Sequence, residues 1–223
     1  MSIDFLSAFW VGVLGAGHCI GMCGGITTML TSALPQQSSP QRLMLVSCYN
    51  FGRIFSYSVI GAIVGYTGSI AAKNVGLPLA GMRMVAAIFL ILLGLYIGQW
   101  LMWLSKIEFL GKIIWQRISP LSKKFIPVNS PKKALGLGLL WGWLPCGLVY
   151  STLTWSLASG SALSGAMIMA CFGLGTLPAL LSLSLGIFKL KTLATNPLFR
   201  KLTATLLILY GLYSLLIAYR LMF

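Results

Sequence analysis

Apolar residues run through this 223-residue chain in long blocks, separated by short polar or basic stretches. Six blocks reach the roughly 20 residues that cross the hydrocarbon core of a bilayer. They are approximately Phe5–Leu30, Leu43–Ile70, Leu79–Trp103, Ala134–Leu157, Ala162–Phe188 and Leu202–Leu221. The pattern predicts an all-α, polytopic membrane protein of six transmembrane helices. No loop is long enough to fold a soluble domain of its own. The first block is expected to stay in the protein: Met-Ser-Ile-Asp is not a positive n-region, and the apolar stretch exceeds a signal-peptide h-region.

The two halves of the chain resemble each other. Ile91-Leu92-Leu93-Gly94-Leu95-Tyr96 in the third block matches Ile208-Leu209-Tyr210-Gly211-Leu212-Tyr213 in the sixth. Phe51-Gly52 in the second has a counterpart in Phe172-Gly173 of the fifth, and Cys19 and Cys146 fall at similar places in the first and fourth. Three spans per half is an odd number, so the second half is inverted relative to the first. The expected organisation is a three-helix repeat over 1–104, a linker over 105–133 and a second three-helix repeat over 134–223. Transporters built this way place their site near the midplane, between the repeats, on broken helices. In the linker, Ile107, Leu110, Ile114, Ile118 and Leu121 recur at helical spacing among Lys and Arg. That predicts a basic amphipathic helix on the cytoplasmic leaflet, held by membrane lipid, or else a docking surface for a cytoplasmic partner.

Composition agrees with the pattern. Hydrophobic residues make up 58% and charged residues 8%, against about 25% charged in a soluble domain. The net charge of +14 does not point to nucleic acid, because the bases lie in short loops and form no soluble basic face. Their distribution reports topology. The loops after the first, third and fifth spans hold most of the Lys and Arg, whereas the opposite side holds Lys73, Arg83 and Arg220. Positive residues collect on the cytoplasmic face, which places both termini outside.

The chemistry is concentrated in Gly17-His18-Cys19-Ile20-Gly21-Met22-Cys23-Gly24-Gly25, which holds the only histidine and two of the five cysteines. On a helix, His18, Cys19, Met22 and Cys23 share one face. Thiolate and thioether ligands select Cu(I), and imidazole can join them. A copper site would use Cys19 and Cys23 with Met22 or His18. His18 is as readily a hydrogen-bonded interhelical residue. Cys19 and Cys23 do not suit a relaxed disulfide within one helix. Pairing with Cys146 is more natural, since Pro145 breaks the fourth span just before it. Cys48 and Cys171 read as small apolar packers, and Trp141 and Trp143 flank the break as candidate cavity walls.

Arg53 lies about ten residues into the second span, roughly 15 Å deep at 1.5 Å per residue. A charge at that depth reads as functional. It could stabilise a thiolate, bind an anion or hold carbonyls freed by a broken helix, with Asn50, Tyr49 and Tyr57 at helical spacing around it. The alternative is that Arg53 snorkels to the cytoplasmic surface.

These motifs, with Tyr49-Asn50-Phe51-Gly52-Arg53-Ile54-Phe55-Ser56-Tyr57 and Leu144-Pro145-Cys146-Gly147, resemble the DsbD/CcdA transmembrane family of cytochrome c biogenesis proteins. The particular form is similar to the bacterial branch labelled sulfite exporter TauE/SafE-like or urease accessory UreH-like transmembrane protein. The resemblance implies a bacterial inner-membrane protein that passes reducing equivalents from cytoplasmic thioredoxin to an outside thiol acceptor, with Cys19 and Cys146 as the redox pair. That would make it a membrane thiol-disulfide oxidoreductase. The chain departs from the family pattern at His18, which stands where redox members carry proline, and in its extra Cys23. These departures favour copper handling, which fits the branch's link to assembly of haem–copper oxidases. Three readings follow: a thiol relay, a Cu(I) transporter or copper-handling assembly factor that would meet a periplasmic copper protein, and a sulfite-type anion exporter built on Arg53.

Overall fold

The computed structural model describes residues 2–15, 39–74, 79–100, 128, 130–143, 146–184 and 196–222. Regular structure within them is entirely helical: α1 (Ser2–Leu14), α2 (Ser39–Asn74), α3 (Leu79–Ile97), α4 (Pro131–Trp141), α5 (Gly147–Ala158), α6 (Ala162–Ser184) and α7 (Pro197–Met222). Leu43–Ala72, Ala162–Ser182 and Pro197–Arg220 are long and apolar enough to cross a membrane, and Phe5–Leu14 and Arg83–Ile97 are shorter apolar helices. Large apolar side chains such as Phe51, Phe55, Leu163, Leu202 and Leu216 are exposed, as a lipid-facing surface requires. The protein is an all-α polytopic membrane protein.

α2 organises the fold. Its 36 residues extend about 54 Å at 1.5 Å per residue, well beyond the roughly 30 Å hydrocarbon core. It packs on α6, α4 and α5, while α1 packs on α6 and α7 on α3.

The fourth apolar block is two helices. α4 has 11 residues and α5 has 12, so each is less than about 20 Å long and neither crosses alone. α4 starts where Ser130 caps it, the hydroxyl accepting from Lys133 N–H at 3.4 Å, with Pro131 in the first turn. It ends at Gly142 and Trp143, where Trp143 N–H turns back to Leu140 O at 3.3 Å. Proline at 145 cannot supply the amide that a continued helix needs; Pro145 itself lies outside the described residues. The chain resumes at Cys146, extended at φ −127° and ψ 150°, as the N-cap of α5. α5 and α6 are joined by a tight turn in which Gly160 has φ 60°, a left-handed conformation that glycine adopts without a Cβ clash.

Glycine seams bring the helices together. A Cβ on Gly12 would collide with Phe172 O of α6, and one on Gly175 with Phe9 O of α1. The α2–α4 crossing is built alike: a Cβ on Gly52 would stand 2.5 Å from Leu135 O, and one on Gly138 would collide with Tyr49 O. At the α3–α7 seam, a Cβ on Gly94 would meet Ile208 Cγ1 at 2.6 Å, and one on Gly211 would meet Ile91 Cγ1 at 2.7 Å. The two Ile-Leu-x-Gly-Leu-Tyr segments thus face each other reciprocally. Each seam joins a helix of the first half to a helix of the second. Small residues are what permit such close backbone approach. Gly138→Val is therefore expected to force α4 off α2 and to destabilise the protein by about 3 kcal/mol, read as a lowered unfolding temperature in detergent.

Candidate functional site

Arg53 projects from the middle of α2 and is only 2% exposed, the largest of the fully buried side chains. Its Nη2 donates to Tyr57 Oη at 3.1 Å and its Nη1 to Asn50 Oδ1 at 3.4 Å. The guanidinium carbon also lies 5.4 Å from the centroid of the Tyr57 ring. The three residues meet because three- and four-residue spacings share a helix face. Each partner is itself held. Asn50 Nδ2 donates to Val46 O at 2.9 Å, which turns its carbonyl oxygen toward Arg53. The Tyr57 ring rests on Phe172 of α6, with centroids 5.8 Å apart.

This arrangement keeps the charge inside the protein rather than at its surface. Burying a cation costs several kcal/mol. Charge-assisted hydrogen bonds return about 1.5–3 kcal/mol each, and a desolvated cation–π contact about 2 kcal/mol. The sequences of α2, α4, α5 and α6 contain no Asp or Glu, so no carboxylate from these packed helices neutralises the guanidinium.

Cys146 sits at the break between α4 and α5. It is 8% exposed and belongs to the same core cluster as Tyr57, Leu148, Val149 and Phe172. Its side chain does not cap α5, and the first-turn residues Gly147, Leu148 and Val149 are buried. The amino end of a helix carries roughly half a positive charge, so α5 directs its positive end into the protein core. The end of α4 abuts the Arg53 turn of α2: a Cβ on Gly142 would stand 3.1 Å from Arg53 O. A buried thiol and a helix amino end thus meet at one discontinuity, which the backbone turn carrying Arg53 borders. Such a place can hold a negatively charged sulfur.

Among the other residues singled out from the sequence, Tyr49 is buried at the α2–α4 crossing with Leu45, Val128, Ala134 and Leu137, and half-buried Cys48 packs against that cluster. Cys171 packs against the larger core cluster. Trp141 packs against the same cluster as Cys48, whereas Trp143 is 54% exposed and walls no interior space; the turn that ends α4 directs it outward. His18, Cys19, Met22 and Cys23 lie outside the described residues, as does the amphipathic segment of the linker. Among the described residues, no group of three or more His, Cys, Asp or Glu is arranged to hold a metal ion.

Two members of this neighbourhood are not candidate site residues in the sequence, where Phe172 reads only as the repeat counterpart of Phe51 and Ser56 only as part of the Tyr49–Tyr57 motif. Phe172 supports the Tyr57 ring, and Ser56, next in the chain to Phe55 and buried, donates to Leu139 O of α4 at 2.8 Å. No curated protein and no solved structure matches the chain. A family match covers nearly all of it. Residues 7–213, from within α1 to the carboxyl-terminal half of α7, fit the family described as cytochrome c biogenesis protein transmembrane region, and the chain belongs to that family.

Proposed function

We propose that the protein carries reducing equivalents across the bacterial inner membrane by thiol–disulfide exchange at Cys146 and Cys19, serving cytochrome or cytochrome oxidase biogenesis. The observation that carries this reading is the placement of Cys146, a buried thiol at the amino end of a half-helix, in one core with the residue that holds Arg53. Family membership supports it, since cytochrome c biogenesis is the context in which the matched region is described.

The cycle begins with Cys19 and Cys146 as a disulfide. A thiolate of a reduced, thioredoxin-type partner on the cytoplasmic side attacks one sulfur of the pair, and the other leaves as a thiolate. Arg53 and the positive end of α5 offer the buried sulfur a counter-charge. The partner's second thiol then resolves the mixed disulfide. The partner ends as a disulfide and the membrane pair as two thiols. On the outer side the pair reduces an acceptor disulfide by the reverse steps and returns to its oxidised form. Two electrons and two protons leave the cytoplasmic dithiol and arrive on the acceptor.

Access to both sides follows from an inverted repeat with both termini in the periplasm. The reciprocal Gly94–Ile208 and Gly211–Ile91 contacts support that relation, because a two-fold axis requires each contact between matched residues to occur twice. The test is transport in sealed vesicles containing the purified protein. A reduced dithiol protein is supplied outside and a disulfide reporter is trapped within. Reporter reduction that depends on the protein is expected. A rate no greater than in protein-free vesicles would remove the proposal.

A further inference from the structure

Ser56 bonds differently from most hydroxyls of the helices around it; Ser156 of α5 also reaches another helix, but it divides its donation between Thr152 O and Gly165 O of α6, each at 3.3 Å. Serine and threonine within a helix commonly donate back to the carbonyl one turn earlier. Ser58 does so to Ile54 O, Ser151 to Gly147 O, Thr152 to Leu148 O and Thr205 to Lys201 O. Ser56 instead reaches from α2 to Leu139 O of α4, 83 residues away in the chain, at 2.8 Å.

The carbonyl it finds is one that the break leaves over. In a continued helix Leu139 O would receive Trp143 N–H. Here Trp143 N–H goes to Leu140 O, while Gly142 N–H keeps its ordinary bond to Gly138 O at 3.0 Å. A carbonyl left without a donor in a partly buried place is costly, and Ser56 supplies the donor. A second observation places the same serine at the same spot: a Cβ on Gly142 would collide with Ser56 Cβ. Thus α4 stops with its last turn seated on Ser56, Gly142 lying against the side chain and Leu139 O accepting its hydrogen bond. Four residues after Gly142 comes Cys146.

We infer that Ser56 is a positioning residue: its hydroxyl fixes where α4 ends and thereby holds Cys146 at its buried place. The inference rests on Cys146 as the reacting thiol of the proposed relay, but it concerns the placement of that thiol and is read without any transfer reaction. Without the hydroxyl, the Leu139 carbonyl is satisfied only if the end of α4 shifts or frays toward another donor, and Cys146, four residues after Gly142, is displaced as a result.

The test measures alkylation of individual cysteines by a membrane-permeant maleimide, with Cys171 of α6 as the control in the same sample. Ser56→Ala is expected to raise the labelling rate of Cys146 about tenfold, the factor that corresponds to 1.4 kcal/mol of lost hydrogen bonding, with Cys171 unchanged. Gly142→Ala, which disturbs the same seat from α4, is expected to shift Cys146 in the same direction. Equal acceleration at Cys171 would show that the hydroxyl serves the whole fold, and would overturn the inference. So would a Cys146 rate in Ser56→Ala within twofold of the original, whatever Gly142→Ala does. A protein that moves no electrons in vesicles yet shows the selective rise at Cys146 would lose the relay and keep the positioning role.

Discussion

Replacing Cys146 with serine is expected to abolish transfer to the level of protein-free vesicles and to trap the cytoplasmic partner on Cys19. Serine cannot enter a disulfide, so a partner thiol that joins Cys19 finds no second membrane thiol to displace it. The covalent complex appears as a species of increased mass on non-reducing gels and collapses on reduction. The fold should survive the change. Burying a hydroxyl in an apolar setting costs about 1–3 kcal/mol, but the position is the N-cap of α5, whose thiol makes no capping hydrogen bond. Serine is among the preferred residues there and is worth about 1 kcal/mol. An unfolding temperature near that of the original protein, with transfer gone, separates the chemical role of the sulfur from a packing role.

Replacing Arg53 with methionine is the second large effect. Methionine keeps an unbranched apolar stem and removes the charge. Transfer should fall about 100-fold, the scale on which loss of one preorganised group facing a developing negative charge is felt. Stability should stay within about 1 kcal/mol of the original or rise, because the cost of burying the guanidinium disappears along with its bonds to Asn50 and Tyr57. Arg53→Lys keeps a cation but not the fork that reaches both partners, and should recover only part of the rate. The decisive comparison is transfer rate against unfolding temperature in the same preparations. If the temperature drops steeply while the residual folded protein transfers normally, Arg53 is a structural residue and its proposed role is lost.

Much of this neighbourhood was legible in the chain because it obeys local rules. Apolar length gives the spans. Pro145 predicts the interruption that separates α4 from α5. The three- and four-residue spacings among Asn50, Arg53 and Tyr57 predict that they meet, and they do. The depth of Arg53 left two destinations open, because a long side chain can travel several ångströms along a helix. What decides between them is Phe172, which backs the Tyr57 ring from a helix more than a hundred residues later. The role of Ser56 was hidden for the same reason. Read locally, a serine in a helix bonds its own backbone; only the ending of α4 on the neighbouring surface offers it a different carbonyl. Trp143 shows the converse error. Its nearness in sequence to Cys146 suggested a cavity wall, but the turn at Gly142 faces it outward. The Gly-Leu-Tyr match was legible as similarity, and the reciprocal approach of Gly94 and Gly211 to the opposite segments gives it spatial content.

The most direct measurement is the bonding state of Cys146 in native membranes. Thiols are blocked by rapid alkylation, the protein is digested without reductant, and the cysteine peptides are identified by mass spectrometry. The account predicts a population in which Cys146 is joined to Cys19, which is lost when a reduced dithiol protein is supplied and returns when it is withdrawn. Cys146 recovered as an alkylated thiol in every chain, with or without that reductant, would contradict it.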